Sequence, residues 1–127
     1  MTRVVVGMSM SLDGFITEPD ESARNRLGDN PGQLHNWMFG ARTTEDAGLL
    51  EEKFATSGAV VIGRRMFGEK PWGDPPPFHM PVFVVTHEQR APIPMKGGTT
   101  CHFASGGIAD ALSQARAAAG EKDVAIW

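Results

Sequence analysis

The apolar positions of this chain fall into short unbroken runs separated by polar, glycine-rich punctuation. Residues 3–8 (RVVVGM) are apolar and β-branched with no helical period, which predicts a buried strand. The run ends in Ser9-Met10-Ser11-Leu12-Asp13-Gly14, whose Ser, Asp and Gly favour an irregular loop. Residues 17–43 are rich in Pro, Asp, Asn and Gly and read as a long loop with a short helical turn near Trp37. Over 44–57 the pattern changes to a helical period. Ala47, Leu50 and Phe54 share a face, Thr43 or Thr44 can cap the start, Glu45 and Asp46 lie in the first turn, and Gly58 stops it.

Two further apolar runs, 59–63 (AVVIG) and 82–86 (VFVVT), predict buried strands. Between them comes a turn at Gly63-Arg64-Arg65-Met66. A stretch at 68–81 follows that holds five of the nine prolines and reads as extended loop. Residues 99–103 (TTCHF) form a weaker fourth strand. Residues 108–119 form a second helix whose apolar face is Ile108, Ala111, Leu112, Ala115, Ala118 and Ala119, with Ser105 as N-cap and Gly120 as stop. Residues 123–127 (DVAIW) form a fifth strand. Alternating strands and helices predict an α/β fold with parallel strand pairs.

Composition narrows the class. The 127 residues suit one domain over 1–127, with 41% hydrophobic and 21% charged residues. The net charge of −3 provides no basic field for nucleic acid or an anionic membrane, so neither is expected as a partner. The single cysteine, Cys101, forbids an internal disulfide and fits a cytoplasmic setting; among β-prone neighbours it reads as a core residue. His35, His79, His87 and His102 lack metal-ligand spacing, so no metal is expected.

Ligands of open α/β sheets bind beyond the carboxyl ends of the strands. Three such exits carry chemistry. At the first, Gly14 lets a ligand approach beside Asp13, although on these residues alone an Asp that caps its own turn is the better reading. At the second, Arg64 and Arg65 after Gly63 suit a phosphate ester, or are solvated surface cations. At the third, Thr86-His87-Glu88-Gln89-Arg90 could grip a ribose phosphate, or form a plain polar loop. Gly106-Gly107 before the second helix could cradle an anion but lacks the full dinucleotide fingerprint, so a tight turn is the better reading. Trp37 and Trp72 could stack on a planar ring or close a local core.

The ordered set MSMSLDGFI, an acidic helix, VVIGRRMFGE, VFVVTH and a helix followed by VAIW resembles the dihydrofolate-reductase-like superfamily. Within it, the set is most similar to the reductase domain of riboflavin-biosynthesis deaminase–reductases and its stand-alone relatives. The resemblance implies a mostly parallel sheet flanked by helices and an NADPH-dependent reduction of a small-molecule substrate. That substrate would be a ribosylamino-pyrimidine, as in 5-amino-6-(5-phosphoribosylamino)uracil reductase, or a pterin-like heterocycle. It places Ser11, Asp13 and Gly14 beside nicotinamide and substrate, with Asp13 as the catalytic group. Gly63, Arg64 and Arg65 then serve the cofactor phosphates; Thr86, His87 and Arg90 serve the adenosine 2′-phosphate. An acid near Glu45 or Asp46 serves the pterin in dihydrofolate reductases proper, but both residues are accounted for by the helix dipole.

Two departures stand out. Met66 occupies a position where relatives often carry Thr. Relatives also continue beyond the final strand with Gly-Gly, a helix and further strands, so C-terminal strands are expected to be missing here. That expectation supports two alternatives, a non-catalytic nucleotide-binding module and an oligomeric domain that borrows strands at an exposed edge along 123–127. A homodimer is expected.

Overall fold

The computed structural model describes residues 2–17, 31–69, 73, 75, 76 and 78–127. The predicted loop portion at 18–30, Trp72 and parts of the proline-rich stretch lie outside the described residues. The fold is α/β, a mostly parallel six-stranded sheet flanked by helices. In chain order the elements are β1 (Val4–Val6), α1 (Pro31–Phe39), α2 (Thr44–Thr56), β2 (Ser57–Gly63), α3 (Arg64–Phe67), β3 (Val82–Val85), β4 (Ile93–Pro94), β5 (Thr100–Ala104), α4 (Ile108–Ala119) and β6 (Asp123–Ile126). Across the sheet the order is β1-β6-β2-β3-β5-β4, parallel except for β4 against β5.

Side-chain alternation along the strands makes two cores. On one face Val60, Ile62, Val82, Val84, Cys101 and Ala125 pack with Phe67, Phe78 and Met80, and with Phe54 of α2 and Met66 of α3. On the other, Ala59, Val61, Phe83, Ala104 and Val124 meet Ala111, Ala115 and Ala119 of α4. The alanine stripe lets the α4 backbone come close to the sheet. At Gly58 the approach is closest: a Cβ there would lie 2.6 Å from the Ala119 carbonyl oxygen. The β2–β6 register also shifts between Ser57 and Ala59, so Gly58 occupies a bulge. Cys101 is buried and its thiol is pushed up by desolvation, which suits an inert core residue.

Capping chemistry is as the residue types predict for α2. The Thr43 hydroxyl accepts the Asp46 N–H at 3.1 Å, and the Asp46 carboxylate accepts the Thr43 N–H at 3.0 Å. Asp46 is therefore occupied in the cap. For α4 the N-cap is Gly107, at φ 88°, and Ser105 does not cap it. The first turn already holds the Asp110 carboxylate, 2.7 Å from where a Gly106 Cβ would stand, so the two glycines form a tight turn around a protein acid. The predicted apolar face of α4 is narrower than expected, since Ile108 and Ala118 are exposed.

Three strand expectations change. First, β1 is not buried: Val5 and Val6 are 45% and 65% exposed because β1 stands at the sheet edge. Second, residues 123–127 offer no exposed edge, because β6 is paired on both sides, with β1 and with β2. Third, β4 joins the far edge unpredicted; two residues, one of them proline, leave no period to read. The turn near Trp37 is a nine-residue helix, α1, held to the loop after β1 by Trp37 Nε1 donating to Ser9 Oγ at 3.1 Å.

The β1–β6 seam carries a bidentate ion pair. Arg3 Nη2 donates to Asp123 Oδ2 at 2.6 Å and Arg3 Nε lies 3.2 Å from both carboxylate oxygens. Hydrogen bonding from Arg3 holds the Asp123 carboxyl below the usual carboxylate range. A folded-state pKa that is depressed adds stability above the unfolded value, about 3.9, and that stability is lost as pH falls through the lower folded value. We therefore expect Asp123→Asn to destabilise the protein at pH 7 and the gap to the parent to close under acid, read by urea unfolding at both pH values. Equal gaps at pH 7 and well below the carboxylate range would contradict the pair's role. Separately, Gly58→Ala should lower stability by about 1–3 kcal/mol, since the added methyl meets backbone that cannot swing aside.

Candidate functional site

The sheet places the exits of β1, β2 and β3 along one edge, because all three strands run parallel. At the β2 and β3 exits lies an open cavity of about 290 Å³ lined by Arg64, Val85, Thr86, His87 and Glu88. Three of the residues singled out from the sequence, Arg64, Thr86 and His87, thus come together. Their convergence follows from pairing: Gly63 stands opposite Val85 in the β2–β3 register, so the residues that follow each strand face one another.

Backbone and side chain hold this wall. Thr86 N–H continues the β3–β5 ladder by donating to the Ala104 carbonyl at 3.1 Å, and its hydroxyl accepts the Glu88 N–H at 3.1 Å. Arg64 opens the single turn α3 and its Nη1 donates to the Gly68 carbonyl. Its Nε atom is buried without a hydrogen-bond partner, yet stands 3.6 Å from Glu88 Oε1. These two observations agree: the distance allows Coulomb attraction but is too long for a hydrogen bond. A buried N–H donor without a partner beside a cavity is a candidate to donate to an oxygen ligand.

The remaining candidates are placed differently. Gly63 has an ordinary extended conformation, φ −78°, and a Cβ there would meet nothing within 4 Å; its backbone does not demand glycine, and it leaves open space beside the Arg64 turn. Arg65 is exposed and does not line the cavity. A helix of one turn adds little dipole, so the anion affinity expected of its amides is small. Arg90 lies with its guanidinium 4.5 Å from the Phe103 ring centroid and 5.9 Å from that of Phe67, stacked as a cover over aromatic surface.

The loop after β1 closes on itself. Ser11 Oγ donates to Asp13 Oδ1 at 2.7 Å and accepts the Phe15 N–H at 2.9 Å. Ser11 N–H donates to the Phe15 carbonyl at 2.8 Å, and Gly14 N–H donates to the Ser11 carbonyl at 3.0 Å. Gly14 takes φ 93°, which a side chain would strain. Asp13 is exposed and does not line the Arg64 cavity. With β6 and β2 between β1 and β3, the two strand exits stand roughly 14 Å apart at the usual strand spacing. The structure therefore forms two clusters, Ser11-Asp13-Gly14 and Arg64-Thr86-His87, on one edge of the sheet. Glu88 lines the cavity too, and the sequence does not single it out. The signal available was its place inside the polar 86–90 segment, and what was not readable was its pairing with Arg64.

No group of three or more His, Cys, Asp or Glu side chains among the described residues is arranged to hold a metal ion. Nor is any helix among them long and apolar enough to cross a membrane.

No protein-family model matches this chain, and no curated protein matches it. Among solved structures it is similar to a Shewanella sp. PV-4 protein that carries the provisional description of a riboflavin biosynthesis protein. The TM-score is 0.57 at 20% identity, over 100% of this chain and 64% of the other. The likeness shows a shared α/β fold, and this chain spans 64% of that protein's length.

The self-contained hydrogen bonding of the 11–15 loop makes a stability prediction. Asp13→Asn keeps an acceptor for the Ser11 hydroxyl on an exposed loop, so unfolding free energy should move by less than about 0.5 kcal/mol. A loss of several times that in chemical denaturation would mean that Asp13 holds more of the fold than this loop.

Proposed function

We propose that this chain is the nucleotide-binding part of an NADPH-dependent reductase of the dihydrofolate-reductase-like type, acting on a small heterocyclic substrate of riboflavin- or folate-type metabolism. The observation that carries the reading is the cavity at the β2 and β3 exits, lined by Arg64, Thr86 and His87, in which the buried Arg64 Nε has no hydrogen-bond partner. The fold shared with the Shewanella protein, and that protein's description, support it. Bound NADPH would supply the hydride.

The chain's own residues would bind and orient. Arg64 offers its Nε–H to a phosphate or ribose oxygen, a charge-assisted contact worth roughly 1.5–3 kcal/mol. Thr86 and His87 complete the wall around the adenosine ribose, and Arg65 adds positive potential from outside the cavity. Gly63 leaves the ligand free room to approach the β2 exit. An extended dinucleotide can span the roughly 14 Å between the two exits, which would bring its nicotinamide end to the Ser11–Gly14 loop. There Asp13 would position the substrate or relay a proton, and releasing Ser11 Oγ frees its carboxylate for that task.

A second reading, assembly into a homodimer, rests on a different observation. Val5, Val6, Met8, Met10, Leu12, Phe15 and Ile16 are all exposed along β1 and the loop after it. Their exposed area is on the order of 800 Å², the share one partner gives to a standard interface. The edge of β1 away from β6 carries no strand among the described residues, so two copies could pair there about a two-fold axis. Val6→Lys with Leu12→Asp should then halve the mass seen in light scattering; an unchanged mass contradicts pairing through β1.

For the reductase reading the test is direct titration of NADPH followed by nicotinamide fluorescence. Arg64→Ala combined with Arg65→Ala should weaken NADPH by about tenfold or more, and NADH much less. Asp13→Asn should cut turnover while leaving NADPH affinity nearly unchanged. Absence of any NADPH binding by the folded parent protein removes the reading.

A further inference from the structure

The same cavity contains an acid that the phosphate-binding role does not use. Glu88 lines it, and its Oε1 stands 3.6 Å from Arg64 Nε. Its backbone is fixed by the N–H donated to Thr86 Oγ1, and the ion pair with Arg64 draws its half-exposed carboxylate to the cavity mouth. A carboxylate beside the guanidinium intended for phosphate does two things. It neutralises Arg64 when no ligand is present, and it repels a phosphate dianion that comes to the same place. A carboxylate is also an acceptor for ribose hydroxyls, which a phosphate-bearing ribose lacks at that position.

We propose that Glu88 is a specificity-determining residue of this site, setting the balance between a free adenosine ribose and a 2′-phosphorylated one. The inference rests on the nucleotide-binding reading above. Arg64 and Glu88 act as a matched pair. A ribose with free hydroxyls leaves the pair intact and donates to Glu88. A 2′-phosphate must displace the carboxylate to reach Arg64 Nε, which has no hydrogen bond to give up but does have an ion pair to lose. The Glu88 side chain is 56% exposed, so it has room to swing outward and the penalty is partial, screened by salt. Glu88 thereby narrows, without abolishing, the preference for the 2′-phosphorylated ribose that the arginines set.

Calorimetric titration with adenosine 5′-monophosphate and adenosine 2′,5′-bisphosphate tests this without needing catalysis or the nicotinamide half of the site. Glu88→Gln keeps the side-chain size and removes the charge. We expect the affinity ratio of bisphosphate to monophosphate to rise about tenfold in Glu88→Gln, and the rise to shrink as salt is increased from 50 mM to 500 mM (~10-fold range,). Glu88→Ala should shift the ratio in the same direction, with thermal unfolding of both variants close to the parent. If the folded parent binds both nucleotides but neither variant changes the ratio by more than about twofold, Glu88 is not the determinant and the nucleotide-binding reading stands. If parent and variants bind neither nucleotide, both the inference and that reading are overturned.

Discussion

Enclosure of β2 is the constraint from which the remaining geometry follows. Its edges are taken by β6 and β3, α4 covers one face, and α2 with α3 covers the other. Val60, Val61 and Ile62 are consequently almost wholly buried, and each contributes on the order of 1.5–3 kcal/mol by leaving water. A strand this enclosed cannot slip by one residue without exchanging its two faces. Its last residue, Gly63, is therefore fixed against Val85, and whatever follows must emerge beside the residues that follow β3. The cavity at the carboxyl ends is a consequence of that register.

The same enclosure explains why the helix on the α4 side is built from alanine. Ala111, Ala115 and Ala119 permit close approach, and Gly58 removes the one side chain that would collide with the end of α4. On the opposite face the space is filled by large rings. Trp127 packs edge-on against Phe54 and Phe78, with the Lys53 ammonium 4.4 Å from its ring centroid. Burial pushes the Lys53 amine below its ordinary range, so this cation is bound into packing.

Charge along the carboxyl edge of the sheet is similarly accounted for. Arg90 is stacked over Phe103, Arg64 is shared between the Gly68 carbonyl and Glu88 at the cavity, and Asp13, outside it, accepts from Ser11. A ligand would therefore exchange one set of polar contacts for another, and selectivity would come from which internal contact is easiest to give up. The two clusters at the β1 and β3 exits share an edge but no cavity wall, and a ligand that joins them has to be long.

Local patterns in the chain determined the strands read at 59–63, 82–86, 99–103 and 123–127 and the helices read at 44–57 and 108–119, each matched by an element within two residues of those bounds. Each rests on a run of side chains whose period is its own evidence, or on a cap such as Thr43 with Asp46. They also placed Arg64, Thr86 and His87 at strand exits, since the residue after a parallel strand is at the edge wherever that strand lies. Tertiary structure alone decided which strands are neighbours. Val4-Val5-Val6 and Val60-Val61-Ile62 look alike as sequence, yet one stands at an open edge and the other at the centre, because burial belongs to the pairing and not to the strand. Insertion of β6 between β1 and β2 closed the edge expected at 123–127 and set Asp13 apart from the Arg64 cavity. The ion pair of Arg64 with Glu88 was hidden for the same reason: 24 positions separate them in the chain, and only the β2–β3 register brings them to 3.6 Å.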